Sequence, residues 1–196
     1  MDFKLILGTV SFLIPIIGIV PYIVNIVKGK TVAHVYTWLI WAILQTIALV
    51  AQVKNGAGFG AAYGLAGVLV CYSVMFLSLK NGLKHIKKFD TFCLILALAS
   101  MIVYIGLKNP LLAVIMATST NFIGFLPTLR KTFVDPKSET VSAYLSGGIG
   151  ALLSILALQN YSLINSLYLI NIIVTDAMLV GIILFKKNKY TNPPGL

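Results

Sequence analysis

Seven apolar runs, each long enough to cross a bilayer as a helix, take up nearly all of the 196 residues. They cover roughly 4–27, 35–54, 60–80, 91–107, 110–130, 139–159 and 163–185, the fourth being the shortest and bracketed by Asp90 and Lys108. A hydrocarbon core needs about 20 apolar residues as helix, with about 17 tolerated, and only backbone that satisfies its own hydrogen bonds is stable there. The runs therefore predict helices, and the connectors leave no room for a soluble domain. Composition agrees: 59% of the residues are hydrophobic and 10% charged, against about 25% charged in a soluble domain. Lys4 precedes the first run as in a secretory leader. No small-residue cleavage pattern follows, and the run continues through Pro21 to Val27, so it reads as a span.

A net charge of +10 would suggest nucleic-acid binding in a soluble protein. Here the basic residues sit in connectors and not on one face, so nucleic acid is excluded as a partner and the bilayer takes its place. Connectors one, three and five and the C-terminal tail hold Lys28, Lys30, Lys80, Lys84, Lys87, Lys88, Arg130, Lys131, Lys137, Lys186, Lys187 and Lys189, and the other side holds only Lys4, Lys54 and Lys108. Twelve of fifteen basic residues on one side predict an N-terminus outside and a C-terminus in the cytoplasm. The tail has no bulky apolar residue three places after Tyr190, hence no tyrosine-type lysosomal signal, and the cell (inner) membrane is the expected location. Cys71 and Cys93 lie in apolar stretches without metal-ligand spacing and read as free thiols, so neither metal nor cofactor is expected.

The first run ends on Pro21–Tyr22 before Lys28, Lys30 and Thr31, and the fifth ends on Pro127–Thr128 before Arg130 and Lys131. At the same offset of 106, Gly18 falls on Gly124, Val35 on Val141, Trp38 on Tyr144 and Lys80 on Lys186. Helices 1–3 thus match helices 5–7. One helix lies between the copies, so both face the same way, as in a parallel repeat about an axis along the membrane normal. The expected fold is an all-α membrane protein with seven transmembrane helices in a 3+1+3 arrangement. Residues 1–82 form one triple-helix bundle, 83–108 the linker helix, 109–188 a second bundle and 189–196 a cytoplasmic tail.

This plan, the N-outside topology, and Pro21–Tyr22 and Pro127–Thr128 before basic turns resemble the PQ-loop superfamily, over residues 5–187. That group includes SWEET sugar transporters, cystinosin-type amino-acid exporters and the KDEL receptors. Its second copy, Pro127 to Arg130–Lys131, Asp135–Pro136–Lys137–Ser138–Glu139 and Val141–Ser142, is closer to the family pattern than the first. Tyr22 and Thr128 stand where the motif's name expects glutamine. The resemblance implies a small bacterial transporter that works by alternating access.

Several residues can carry that work. Pro21 and Pro127 each remove a helical hydrogen bond, which leaves either a fixed packing kink or a hinge for each bundle. Asp176 is the only one of five acids deep inside a span, Glu139 standing at the very edge of the sixth run. It lies ten residues before Lys186, hence roughly 15 Å deep. A carboxylate there must pair, neutralise or line water, so it is either a protonated structural donor between helices or a proton-coupling or amine-binding site. Tyr168, Asn171 and Thr175 form a polar stripe beside it. SWEET-like members bind sugar with paired asparagines on helices 3 and 7, and here Asn171 is matched by Leu65. Helix 2 carries His34, Trp38, Trp41, Gln45 and Gln52 on one face. The tryptophans are either an interfacial belt or aromatic walls of a site with Gln45 as its amide. The matching face of helix 6 reads Tyr144, Gly147, Ala151 and Ser154, small where helix 2 is large, so an asymmetric cavity is expected. Asn25 and Asn121 stand on faces that otherwise read as packing seams.

The expectation is a transporter, and no enzyme, for a small neutral or zwitterionic solute. An amino acid or related metabolite is favoured, with Trp38, Trp41, Gln45, Asn121, Tyr144, Tyr168, Asn171 and Thr175 at the site and Asp176 exchanging protons. The duplication makes a monomer sufficient, though an oligomer stays open. A passive SWEET-like sugar carrier and a PnuC-type vitamin carrier, which also has tryptophan-lined sites, are the alternatives. So is a binding receptor of the KDEL-receptor kind, which would need a buried Arg or Lys for a peptide carboxylate. No basic residue lies deep in any run.

Overall fold

The computed structural model describes residues 2–29, 33, 35–79, 88–134, 136 and 139–191; the side chains of Asp90, Pro127, Lys131 and 187–191 lie outside that description. So do Lys30, Thr31, His34, Lys80, Lys84, Lys87, Asp135, Lys137 and Ser138, all singled out above. The described chain is helical: α1 (Phe3–Val27), α2 (Val35–Lys54), a 3-10 turn (Gly58–Ala61), α3 (Ala62–Ser78), α4 (Lys88–Gly106), α5 (Pro110–Val134), α6 (Val141–Ala157) and α7 (Leu163–Thr191). Five segments are long and apolar enough to cross a membrane: α1, α2, the 3-10 turn with α3, α5 and α7. Thr91–Gly106 of α4 and all of α6 are shorter apolar helices.

Local chemistry sets these ends. Asp2 Oδ1 accepts from the Lys4 amide at 3.0 Å and caps α1. Asn109 Oδ1 accepts from the Leu112 amide at 3.0 Å, and Pro110 begins α5 where a missing N–H costs no bond. Within the helices, hydroxyls donate back to the preceding turn, as Thr46 does to Ala42 O, Ser78 to Val74 O and Thr120 to Met116 O. These local bonds let polar residues sit in apolar surroundings.

The side-chain distribution is inverted relative to a soluble protein. Ile17, Phe76, Ile102, Phe133, Leu152 and Phe185 are exposed, whereas Ser11, Gln45, Gln52, Asn121, Ser154, Asn165 and Asp176 are buried. A bundle that turns apolar groups outward and polar groups inward suits lipid as its solvent.

In each half the third helix lies between the other two. α3 packs along both α1 and α2, whose backbones stay apart and meet only through side chains; α7 packs in the same way along α5 and α6. The halves meet along α1 against α6 and α2 against α5, while α4 packs on α5 and α2. Gly18 of α1 faces Ser146 and the Ser142 carbonyl of α6, a close backbone approach of the kind small residues permit.

One end of the bundle is sewn shut by the α2–α3 and α6–α7 connectors. Asn55 Nδ2 donates to Ser162 Oγ at 2.7 Å, and Asn160 Nδ2 and Asn165 Nδ2 donate to Asn55 O at 2.9 and 3.3 Å. Gln52 Nε2 donates to Asn165 O at 2.8 Å, Ser154 Oγ to Gly60 O at 2.5 Å, and the Gln159 amide to Ala57 O at 3.0 Å. The N-terminus joins the same end, where Lys4 Nζ donates to Leu158 O at 2.6 Å.

Candidate functional site

Between the halves, on the far side of this seam, lies a cavity of about 120 Å³. Its lining draws on both halves in nearly matched register. Pro15, Ile19, Trp38 and Trp41 stand 106 residues before Asn121, Phe125, Tyr144 and Gly147. Tyr63, Gly67, Val70 and Cys71 stand 105 before Tyr168, Ile172, Thr175 and Asp176. Tyr22, Gln45 and Ala143 complete the wall without lining counterparts.

The change from 106 to 105 corrects the single offset read from the sequence. The α2–α3 connector turns through a 3-10 segment, whereas α6 ends on Leu158 with ψ 133° in an extended path. The lining residues of α3 and α7 accordingly pair at a spacing of 105, where the sequence offset expects 106. At the corrected spacing Asn171 stands opposite Ala66, and both are buried, while Leu65, its partner at offset 106, is exposed.

Aromatic rings form a continuous arc along the wall. Tyr22 and Trp38 lie 5.5 Å apart between centroids, Trp38 and Trp41 5.2 Å at 80°, Trp41 and Phe125 6.3 Å, and Phe125 and Tyr144 6.0 Å at 77°. Both edge-on pairs have the geometry that ring quadrupoles favour. Trp41 packs against three separate apolar clusters, which hold its indole in place. The Tyr144 hydroxyl donates to Glu139 Oε2 at 2.9 Å, which anchors that ring at the end of the arc. The tryptophans thus line the interior and do not form an interfacial belt.

Asp176 projects from α7 toward Gly147 of α6. A Cβ added at Gly147 would lie 2.5 Å from Asp176 Oδ2 and 3.8 Å from the Tyr63 hydroxyl, so the missing side chain makes the space that the carboxylate occupies. Asp176 is 7% exposed, and among the described residues no hydrogen bond or ion pair reaches it. The matched position in the first half holds a thiol, Cys71, and the position matched to Gly147 holds Trp41, so the one acidic side chain of the cavity stands on one side only.

No family model matches the chain, and no curated protein or solved structure matches it either.

Of the residues expected at the site, Trp38, Trp41, Gln45, Asn121, Tyr144, Tyr168, Thr175 and Asp176 line this one cavity. Asn171 does not; it is buried beside the wall with its Nδ2 unpaired. The Thr175 hydroxyl donates to Asn171 O at 2.9 Å, so only its oxygen lone pairs face the cavity. Asn121 is 3% exposed and its Nδ2 has no hydrogen-bond partner, which leaves an unused donor in the wall. Pro21 lies within α1 and is exposed, whereas Pro15 is buried against the cavity. α5 runs through position 127, and the side chain of Pro127 lies outside the described residues. Sequence reasoning passed over Tyr63. Its signal was a single large ring inside the small-residue stretch Ala61–Ala62–Tyr63–Gly64, which is a ring given room.

The wall therefore offers one carboxyl group, two amides and a lining of aromatic side chains. That set can bind and orient a small molecule. At about 120 Å³ it is smaller than the roughly 300–1,000 Å³ pockets of drug-sized ligands.

Proposed function

We propose that the chain is a seven-span membrane carrier of the PQ-loop kind, moving a small polar solute by alternating access through the cavity between its halves. The observation that carries this reading is the register of the lining. Matched positions from α1–α3 and α5–α7 converge on one cavity, as expected where a repeat axis passes through a substrate site. The contact pattern supports the repeat as well, since each third helix bridges the other two and the α1–α6 interface has its counterpart in α2–α5. α4 has 19 residues and α6 has 17, within the roughly 17–25 that can span a bilayer. Counting them gives seven spans, and the distribution of basic residues then puts the N-terminus outside and the seam on the outer face. The described state would be closed to the outside, with the aromatic arc toward the cytoplasm of a cell-membrane protein.

Asp176 is the residue through which protons would act, being unpaired and in the cavity wall. The test is a thermal-shift screen of the purified protein against amino acids, sugars, vitamins and amines at acidic and neutral pH, with Asp176→Asn alongside. The reading expects a ligand whose stabilisation depends on pH in the native protein and not in the variant. A peptide that stabilises the protein but never crosses a proteoliposome membrane would point to a receptor instead.

A further inference from the structure

We infer that the cavity is a binding site for a small organic monocation, and that the cation and a proton compete for Asp176. This rests on the carrier reading and narrows its solute. The sequence alone points to a neutral or zwitterionic solute, but the lining charges favour another class. Among the described residues, the wall holds no Lys, Arg or His. A zwitterion would bury its carboxylate beside Asp176 with no basic partner, and an unpaired charge in a dry site is strongly unfavourable. A cation meets the opposite situation. Asp176 is a desolvated carboxyl group that no described protein group satisfies, and Trp38, Trp41 and Tyr144 line the same space. Cation–π attraction is strongest to tryptophan and grows when water is excluded.

The asymmetry of the wall sets the orientation. The carboxylate lies in the gap at Gly147, and its matched position across the axis holds the Trp41 indole. A cationic head fits between the two, and a hydroxyl or carbonyl on the same molecule can take up the free Asn121 amide hydrogen. A small inorganic ion, held more tightly by its hydration water, gains less from the rings.

The titratable groups facing Asp176 are the phenols of Tyr63 on α3, Tyr144 on α6 and Tyr168 on α7, together with the Cys71 thiol on α3 and Tyr22 on α1. α2 and α5 present neutral amides, Gln45 and Asn121. Phenols and thiols carry no charge at neutral pH under ordinary conditions, so of the groups lining the cavity Asp176 alone changes charge; Glu139 lies behind the Tyr144 hydroxyl and not in the lining. In its neutral form it releases its proton to water as the cation enters and takes one up when the cation leaves. The site then holds one positive charge at a time, proton or solute, and exchange across the membrane is one for one and electroneutral.

The test uses the native protein's own tryptophans, the only two in the chain, both in the wall. Their emission is followed during titration with choline, its uncharged isostere 3,3-dimethyl-1-butanol, its zwitterionic relative glycine betaine, and sodium chloride as ionic control. The expected result is saturable quenching by choline, at least roughly tenfold tighter than by the other three, weakening as pH falls, with proton release into weak buffer. Asp176→Asn should remove both the preference and the proton release. Equal or tighter binding of betaine or the alcohol, a response no different from sodium, or no response to choline, would each overturn the inference. The ranking is made on the unaltered protein and does not depend on a variant folding. Choline bound as expected but not carried into proteoliposomes would leave the site and remove the carrier reading. A neutral or zwitterionic solute both bound and carried would do the reverse.

Discussion

Packing alone holds Asp176 in place, and this gives its substitution a distinctive signature. Because its carboxylate has no hydrogen-bond partner among the described residues, Asp176→Asn removes no interhelical bond. The variant should melt within about 1 kcal/mol of the native protein while losing pH-dependent ligand binding; thermal melts in detergent, with and without ligand, check both. Gly147→Ala acts on the same oxygen from the other side. Its Cβ would sit 2.5 Å from Oδ2, so the carboxylate must swing away, and affinity should drop by roughly tenfold or more at little cost in fold. An unchanged affinity would mean that the carboxylate does not contact the solute. Most of this wall was legible as chemistry in the sequence, because a lone intramembrane acid and an aromatic–amide stripe are conspicuous in an apolar chain. Two features were not. Asn171 shares its stripe's sequence spacing yet turns off the wall, which depends on the rotation of α7 against its neighbours. The pairing of Cys71 with Asp176 requires knowing that the third helices are one residue out of register.

At the scale of elements, the seam between the α2–α3 and α6–α7 connectors ties the halves together by hydrogen bonds, beside the more extensive packing of α1 on α6. Gly58 sits there at φ +59° with the Gln159 side chain against it, a left-handed conformation that a residue with a Cβ adopts only at a cost. Gly58→Ala should therefore destabilise the protein by about 1–2 kcal/mol, lowering the melting temperature by several degrees, while Gly56→Ala, at φ +69° with nothing near, reports the backbone cost alone. If the two variants melt together, the Gln159 contact contributes nothing. The seven helical runs were readable from hydropathy because lipid demands long apolar stretches. The seam was not, because its bonds join loop carbonyls and amides distant in sequence, and no local pattern encodes which loops meet. The prolines mark the same limit. Repetition singles out Pro21, yet packing places Pro15 on the cavity, opposite the unpaired Asn121.

For the whole molecule, the account is that two similar halves rock about a shared cavity, opening it first to one side and then to the other. The charge distribution adds an orientation: a reporter fused after Thr191 should be active only in its cytoplasmic form, and activity only in the exported form would invert the assignment. The cavity itself supplies the most direct test of movement. In a Cys93→Ala background Cys71 is the only thiol, and it lies in the wall opposite Asp176. A membrane-impermeant methanethiosulfonate is added to sealed vesicles of each orientation, and labelling of Cys71 is followed by mass. The account predicts labelling from both faces, with access from the seam side lost when Asn55→Cys and Asn160→Cys are joined by a disulfide and access from the other side retained. Labelling from one face only in both vesicle types, or from neither, would contradict alternating access through this cavity.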